Sequence, residues 1–386
     1  MSWDMIKLGD LYEVHNGLSK GGKYFGKGYP FLTFSTVFNN YFIPDTIVDL
    51  VQSTEKEQES YSIKRGDVFV TRTSETSDEL GMSCVALKDY PKAAYNGFTK
   101  RMRPLFPEKI FPEYIGYYMR MPSFRGCFQA FSTMTTRASL KNEDLLSLKI
   151  ALPPLEIQVR IAGILRAYDK LIENNQKQIR LLEEAAQRLY KEWFVDLRFP
   201  GYENIPIIDG VPEGWKIGTL GEIATFKRGK TITKAQIKVG NVPVVAGGLE
   251  PAYYHNQSNT VAPVITVSGS GANAGFARLY NTDVFASDCS FADIETTPYI
   301  YFTYCFLKDN RSKLDTLQKG SAQPHVYAKD INSLELLIPN EMNLKQFIAM
   351  VSPYFKKVST LQKQIESLKE ARDRLLPKLM NGELEV

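Results

Sequence analysis

The sequence predicts an α+β protein: two globular blocks, each a twisted β-sheet with helices, separated by two long antiparallel coiled-coil helices and related by a pseudo-twofold internal repeat. Three observations predict it. The stretch QKQIRLLEEAAQRL from Gln176 returns as QKQIESLKEARDRL from Gln362, an offset of 362 − 176 = 186 residues. Both copies carry apolar residues in alternating steps of four and three, the period of a coiled-coil seam. The pieces DVFVTRTS (67–74) and APVITVSGS (262–270) read as strands running into polar turns.

Taken in chain order, residues 1–152 form the first block. Its opening, WDMIKLGDLYEVHNG from Trp3, parallels WKIGTLGEIATFKRG from Trp215, an offset of 215 − 3 = 212. Since 212 − 186 = 26, the first block carries 26 more residues than the second, placed between Gly17 and about Tyr114. Insertions of that size fall in surface loops, where the entropy of closure grows slowly with length.

Residues 153–196 form the first long helix. Pro153 and Pro154 suit its first turn, where a missing N–H costs nothing. Its seam reads Tyr168, Ile172, Asn175, Ile179, Leu182, Ala186, Leu189 and Trp193. Residues 197–213 are a linker and 214–340 the second block. Residues 341–386 form the second long helix, with the seam Tyr354, Val358, Leu361, Ile365, Leu368, Arg372, Leu375 and Leu379. Each helix spans about 55–60 Å at 1.5 Å per residue. A stripe that long needs a partner of similar length. The other copy, paired antiparallel about an approximate twofold axis, is the expected one, against packing on its own block or on a second chain. Asn175 in the seam helps to fix register, its repeat counterpart being Leu361, and Pro377 is expected to end or kink the second helix.

The composition excludes several classes. A formal charge of +4 over 386 residues does not announce a nucleic-acid binder. Residues 1–152 hold 19 Lys and Arg against 17 Asp and Glu, and residues 214–340 hold 12 against 10, so any affinity for DNA must come from local patches. Cys84, Cys127, Cys289 and Cys305 lie far apart, as buried thiols of a reducing compartment do, with Cys127 or Cys289 as a nucleophile the less favoured reading. No secretory leader or membrane-spanning run is legible, so a cytoplasmic protein is expected. Catalytic signatures are absent from the sequence. Gly229-Lys230-Thr231 lacks the first glycine of a phosphate loop, SGSGANAG has the wrong spacing and reads as a turn, and no Asp/Glu-x-Lys triplet occurs. LPPL at Leu152–Leu155 has no Asp or Asn before its prolines, and His15, His255 and His325 are scattered.

Eight loops bring basic, hydroxyl and amide groups together at corresponding places in the two blocks. Lys and Arg suit phosphates, Ser, Thr and backbone N–H groups also hold them, and Arg, Asn and Gln can pair with base edges. In the first block these loops offer Lys20, Lys23, Arg72, Thr73, Ser74, Asn96, Arg101, Arg103, Thr136 and Arg137. In the second they offer Lys227, Arg228, Lys230, Ser268, Ser270, Asn273, Ser321, Gln323 and His325. Taken singly, each such loop also reads as solvated surface.

The pattern LPPLEIQVRIAGIL…QIRLLEEAAQRLYKEWF followed by PEGWKIGTLGEIATFKRGKT resembles the specificity subunit of type I restriction–modification enzymes. NGF at Asn96–Phe98 and KGSAQPHV at Lys319–Val326 are also typical of that family. The second copy departs from the pattern, with IPNEMNLKQF where the first has LPPLEIQVRI. The resemblance implies that each block is a target recognition domain for one half of a split, asymmetric sequence in double-stranded DNA. It implies that the helices set the gap between the halves and dock two modification subunits, which carry S-adenosylmethionine and methylate adenine. Restriction subunits, motor-nucleases using ATP and magnesium, join them. The chain itself then holds no cofactor or metal and performs no catalysis. The rival readings are an adaptor whose two heads bind proteins rather than DNA and, less favoured, a self-contained DNA enzyme.

Overall fold

The computed structural model describes residues 3–74, 79–129, 138–318 and 324–386. The chain divides into two compact units, Met1–Glu173 with Ile365–Val386, and Asn174–Gln364. Both long helices, Leu155–Tyr190 and Glu341–Met380, contribute to each unit.

In the first unit, Met5–Lys7 pairs antiparallel with Lys149–Ala151, so the strand that enters the head lies beside the one that leaves it for the first long helix. An antiparallel sheet runs in the order Tyr12–Asn16, Thr99–Pro104, Val68–Thr71, Ser83–Val85. Val68–Thr71 is buried at every position, as a central strand covered on both faces must be. A smaller sheet sets Phe25–Leu32 between Leu50–Val51 and Ala94–Tyr95, pairing parallel with the latter. The helix Pro112–Arg120 turns Tyr114, Ile115, Tyr117 and Met119 into a core with Val68, Val70 and Met102. Ile161 and Leu165 from the first long helix and Leu376, Leu379 and Met380 from the second join the same cluster. Asp169 pairs with Arg372 while Arg160 reaches the carbonyl of Val386, so the two helices run antiparallel here.

The second unit repeats this plan. Lys216–Thr219 pairs antiparallel with Glu335–Ile338. One sheet runs Lys227–Arg228, Cys289–Asp293, Val264–Ser268, Ala277–Tyr280, and another sets Val242–Val245 between Tyr253–His255 and the parallel Phe285–Ala286. The helix Ile300–Asp309 packs into a core with Ala186 and Tyr190 from the end of the first long helix, Trp193 and Phe194 from the π-helical turn Lys191–Val195 that continues it, and Phe347, Val351 and Phe355 from the start of the second. Partner numbers again fall as helix numbers rise: Asn175 Nδ2 donates to Gln364 Oε1 at 3.4 Å, and Tyr190 meets Phe347. Asn175 thus finds a glutamine rather than another asparagine. All sixteen seam positions are buried or half-buried.

The insertion of the first half has a definite place. The helices Phe34–Asn39 and Glu55–Ser60 lie between the strands Phe25–Leu32 and Val68–Thr71, and the matching stretch between Val242–Val245 and Val264–Ser268 contains no helix. Three local expectations are corrected. Pro377 does not stop the second helix, which continues to Met380. A proline in the last turns removes one amide bond, and the carbonyl of Pro377 still accepts from Asn381 N–H at 3.0 Å. Arg101 and Arg103, expected on a loop with Asn96, instead lie on Thr99–Pro104, an inner strand of the larger sheet. Three of the cysteines are buried as expected, but Cys127 is exposed, and none is bonded to another.

Candidate nucleic-acid interface

In the first unit the two sheets end together. Asn16 lies opposite Lys100 and Thr71 opposite Thr99, so the C-terminal ends of two strands meet the N-terminal end of the strand between them. Gly17 N–H donates to Thr99 O at 3.2 Å and Leu18 N–H to Tyr95 O at 2.8 Å. Arg72 N–H donates to Phe98 O at 3.0 Å, and Arg72 O accepts from Leu140 N–H at 2.8 Å. Thr73 and Ser74 then pair with Ser139 and Ala138. Arg72, Thr73, Ser74 and Asn96 are thereby gathered on one rim, and Leu18 bridges the 18–28 segment to Asn96.

The second unit has the same frame, bond for bond. Gly229 N–H donates to Cys289 O at 2.8 Å and Lys230 N–H to Ala286 O at 2.9 Å. Gly269 N–H donates to Asp288 O at 3.2 Å, and Gly269 O accepts from Val326 N–H at 3.0 Å. Ser270 then pairs with His325 as Thr73 pairs with Ser139. Lys227, Arg228, Lys230, Ser270 and His325 share this rim. Arg228 and His325 also line a pocket of about 60 Å³ with Asp288, whose carboxylate accepts from the Ser270 hydroxyl. His325 stacks on Tyr327, ring centroids 6.1 Å apart.

The two glycines are required by this frame. A Cβ on Gly17 would lie 2.0 Å from Asn96 O, and one on Gly229 would lie 2.4 Å from Ser287 O. Both clashes are with backbone, which cannot rotate away. Gly17→Ala and Gly229→Ala are each expected to cost about 1–3 kcal/mol. Thermal denaturation and faster hydrogen exchange at the amides of Leu18 and Lys230, respectively, would measure it.

Other proposed contacts are engaged elsewhere. Lys20 donates to Glu57 at 2.7 Å and to Gln52 O at 2.6 Å, and its hydrogen bond, with the Thr54 N–H next, holds the Glu57 carboxyl below its ordinary range. Lys23 is exposed, over the ring of Tyr24. Arg101 and Arg103 belong to the strand and point into the unit. Arg101 is 5% exposed and donates to Ser62 O at 2.8 Å, and Arg103 grips the buried Asp67 carboxylate through Nε at 2.7 Å and Nη2 at 2.6 Å. Both guanidinium groups are thus taken up by contacts within the unit rather than presented on the rim. Ser268 is buried in its strand, and Asn273 is half-buried in the turn Gly271–Asn273, which the glycine-rich stretch forms as expected. Thr136, Arg137, Ser321 and Gln323 lie outside the described residues.

The structure adds rim residues that the sequence reading left out. Phe98 is 59% exposed while its N–H is held by Asn96 Oδ1 at 2.7 Å, so an apolar ring stands on a fixed backbone. Lys100 sits beneath the rim, donating to Asn142, and burial together with the charge of Arg72 draws its ammonium below the usual lysine range. An anion placed here would relieve that crowding of positive charge. Ser139 and Asp288 complete the list. NGF was a signal for Phe98, and Ser139 and Asp288 belong to polar stretches, 132–141 and 286–291, that composition marks, but only strand pairing puts these two residues on the rim. Burial pushes the Cys289 thiol up to about 12, which suits packing rather than nucleophilic attack. Among the described residues no cluster of three or more His, Cys, Asp or Glu side chains has the arrangement of a metal site, and no helix is long and apolar enough to cross a membrane.

Comparison with known proteins places this geometry. The profile described as "Type I restriction modification DNA specificity domain" matches residues 1–184 and again 212–370. The MjaIX specificity subunit, a type I restriction enzyme component of Methanocaldococcus jannaschii, is 28% identical over 414 residues, spanning all of this chain and 94% of that protein. The HindI specificity subunit of Haemophilus influenzae is 22% identical over 63% of this chain and 70% of its own length. The crystal structure of a type I restriction-modification S subunit from M. genitalium has the same fold, with a TM-score of 0.58 at 16% identity over 98% of this chain and 96% of that one.

Proposed function

Because the chain belongs to the type I restriction-modification DNA specificity family, we propose that its two rims read the two halves of a split, asymmetric target in double-stranded DNA. The observation that carries this reading is that one hydrogen-bonded frame occurs twice with different side chains on it. Arg72, Thr73, Phe98 and Ser139 in the first unit correspond to Gly269, Ser270, Asp288 and His325 in the second. A frame kept constant fixes the reach to the groove. Side chains that differ select different bases, since a guanidinium favours guanine, an aromatic ring meets the thymine methyl and a carboxylate accepts from cytosine N4.

In this reading the paired helices set the number of unread base pairs and dock two modification subunits, which bring S-adenosylmethionine and methylate adenine. Restriction subunits, using ATP and magnesium, join that assembly. Catalysis and cofactors belong to those partners, and this chain supplies recognition and scaffold. The names of its relatives support the role, and the match of the family profile to both halves supports the division of labour.

Two experiments test it. Base-resolved mapping of adenine methylation, with the chain and its modification partner co-expressed, should yield a motif of two specified segments around an unspecified gap. A single continuous motif, or no motif dependent on this chain, would contradict the reading. Inserting four residues into the first long helix should change the gap and leave both segments intact, whereas altered segments would remove the spacing role. The chain alone should show no methylation in the same assay.

A further inference from the structure

We propose that a polar trio, Tyr117–Asp169–Arg372, makes the pairing of the long helices selective, so that each accepts the other and rejects a second copy of itself. Arg372 Nη1 lies 2.7 Å from Asp169 Oδ1, and these two side chains are only 13% and 12% exposed. The Tyr117 hydroxyl donates to the other oxygen of the same carboxylate, and the guanidinium lies over the Tyr41 ring at 5.4 Å from its centroid.

The repeat shows what occupies the equivalent place in the second unit. At the offset of 186, Asp169 corresponds to Phe355 and Arg372 to Ala186, and at 299 − 114 = 185, the offset between Tyr114-Ile115 and Tyr299-Ile300, Tyr117 corresponds to Phe302. Phe302, Phe355 and Ala186 are all buried in one hydrophobic cluster. Much of the seam is alike on both helices: Ile172 matches Val358, Ile179 matches Ile365, Leu182 matches Leu368 and Leu189 matches Leu375, while Asn175 matches Leu361 and Trp193 matches Leu379. The shared apolar positions favour no one pairing, and the trio adds a buried charge pair that tells the two helices apart. In an antiparallel pair of two first helices, Asp169 would face Ala186 of the other copy. In a pair of two second helices, Arg372 would face Phe355. The first pairing leaves two Asp169 carboxylates without a counter-charge, and the second leaves each Arg372 only Asp373, an exposed neighbour on its own helix at 2.8 Å; removing one partner from a buried ion pair disfavours a state by at least about a hundredfold. The pairing rule stands on this geometry alone. Its consequence, that one assembly always carries two different heads and never two identical ones, rests on the proposed function.

The test uses the whole chain with a specific protease site placed in the exposed turn at Asp209–Gly210 and cleaved after folding. Two isotopically distinct batches are mixed, allowed to exchange and examined by native mass spectrometry. Wild-type chain should give only first-with-second fragment pairs. The variant Tyr117→Phe, Asp169→Phe, Arg372→Ala copies the apolar solution of the second unit, and should raise like-with-like pairs by at least about a hundredfold, toward statistical mixing. Statistical mixing in the wild type, or strict first-with-second pairing in the variant, would overturn the proposal. Should that variant not fold by circular dichroism, the exchange Asp169→Arg with Arg372→Asp replaces it. Its fragments should pair with each other and not with wild-type fragments, and free cross-pairing would overturn the proposal equally.

Discussion

Arg103→Ala is expected to destabilise the first unit by about 3–5 kcal/mol, the cost of leaving a buried carboxylate without its counter-charge. Asp67 is fully buried and takes two charge-assisted bonds from the guanidinium, at 2.7 and 2.6 Å. Its Oδ2 also accepts from Lys64 N–H, which closes the turn before the central strand Val68–Thr71. The hydrogen bond to Asp67 holds Arg103 above the usual arginine range. Arg103→Lys should recover only part of the loss, because a single ammonium cannot reproduce the planar two-bond grip. The pair is structural, so the methylation motif of whatever complex survives should be unchanged. Urea denaturation followed by a probe in the first unit measures the loss. A stable variant with a relaxed first segment would mean that Arg103 reads DNA after all.

Phe347→Ala should cost the second unit a comparable amount, about 3–5 kcal/mol, through the lost burial of a large ring and the cavity left behind. Phe347 is fully buried on the second long helix, and its ring meets Tyr190, Trp193, Phe194 and Phe302 at centroid distances of 6.3, 6.0, 5.1 and 6.3 Å. Those partners come from the first long helix and from the helix Ile300–Asp309, so one ring joins the head to both long helices. Phe347→Leu should retain most of the stability by keeping the site filled. Denaturation monitored by tryptophan fluorescence reads this site directly, since Trp193 lies against the ring.

The long helices, the repeat and the unequal lengths of its halves were legible because each leaves a periodic trace. Steps of four and three mark the seam, and an offset that changes from 212 to 186 marks an insertion. The rims were legible only as a set of polar stretches. Which side chains face outward depends on strand register, and register is set by partners remote in sequence. Arg101 and Arg103 looked like surface groups beside NGF, yet their strand lies inside the sheet and turns both into the unit. Ser139 and Asp288 lie in stretches that composition marks, yet they reach the rims by pairing with residues far along the chain, so composition could not single them out within those stretches. The proline at 377 misled for a related reason: a helix near its end, braced by Leu376, Leu379 and Met380 in a core, tolerates one missing amide bond.

The central claim is that each rim specifies its own half of one target. The most direct measurement compares methylation motifs written by complexes carrying Arg72→Ala with Thr73→Ala and by complexes carrying Arg228→Ala with His325→Ala. Each pair should relax base choice in one segment only, by about 1–3 kcal/mol at a contacted base, and the two pairs should affect opposite segments. Relaxation of both segments by either pair, or of neither segment by both, would contradict the account.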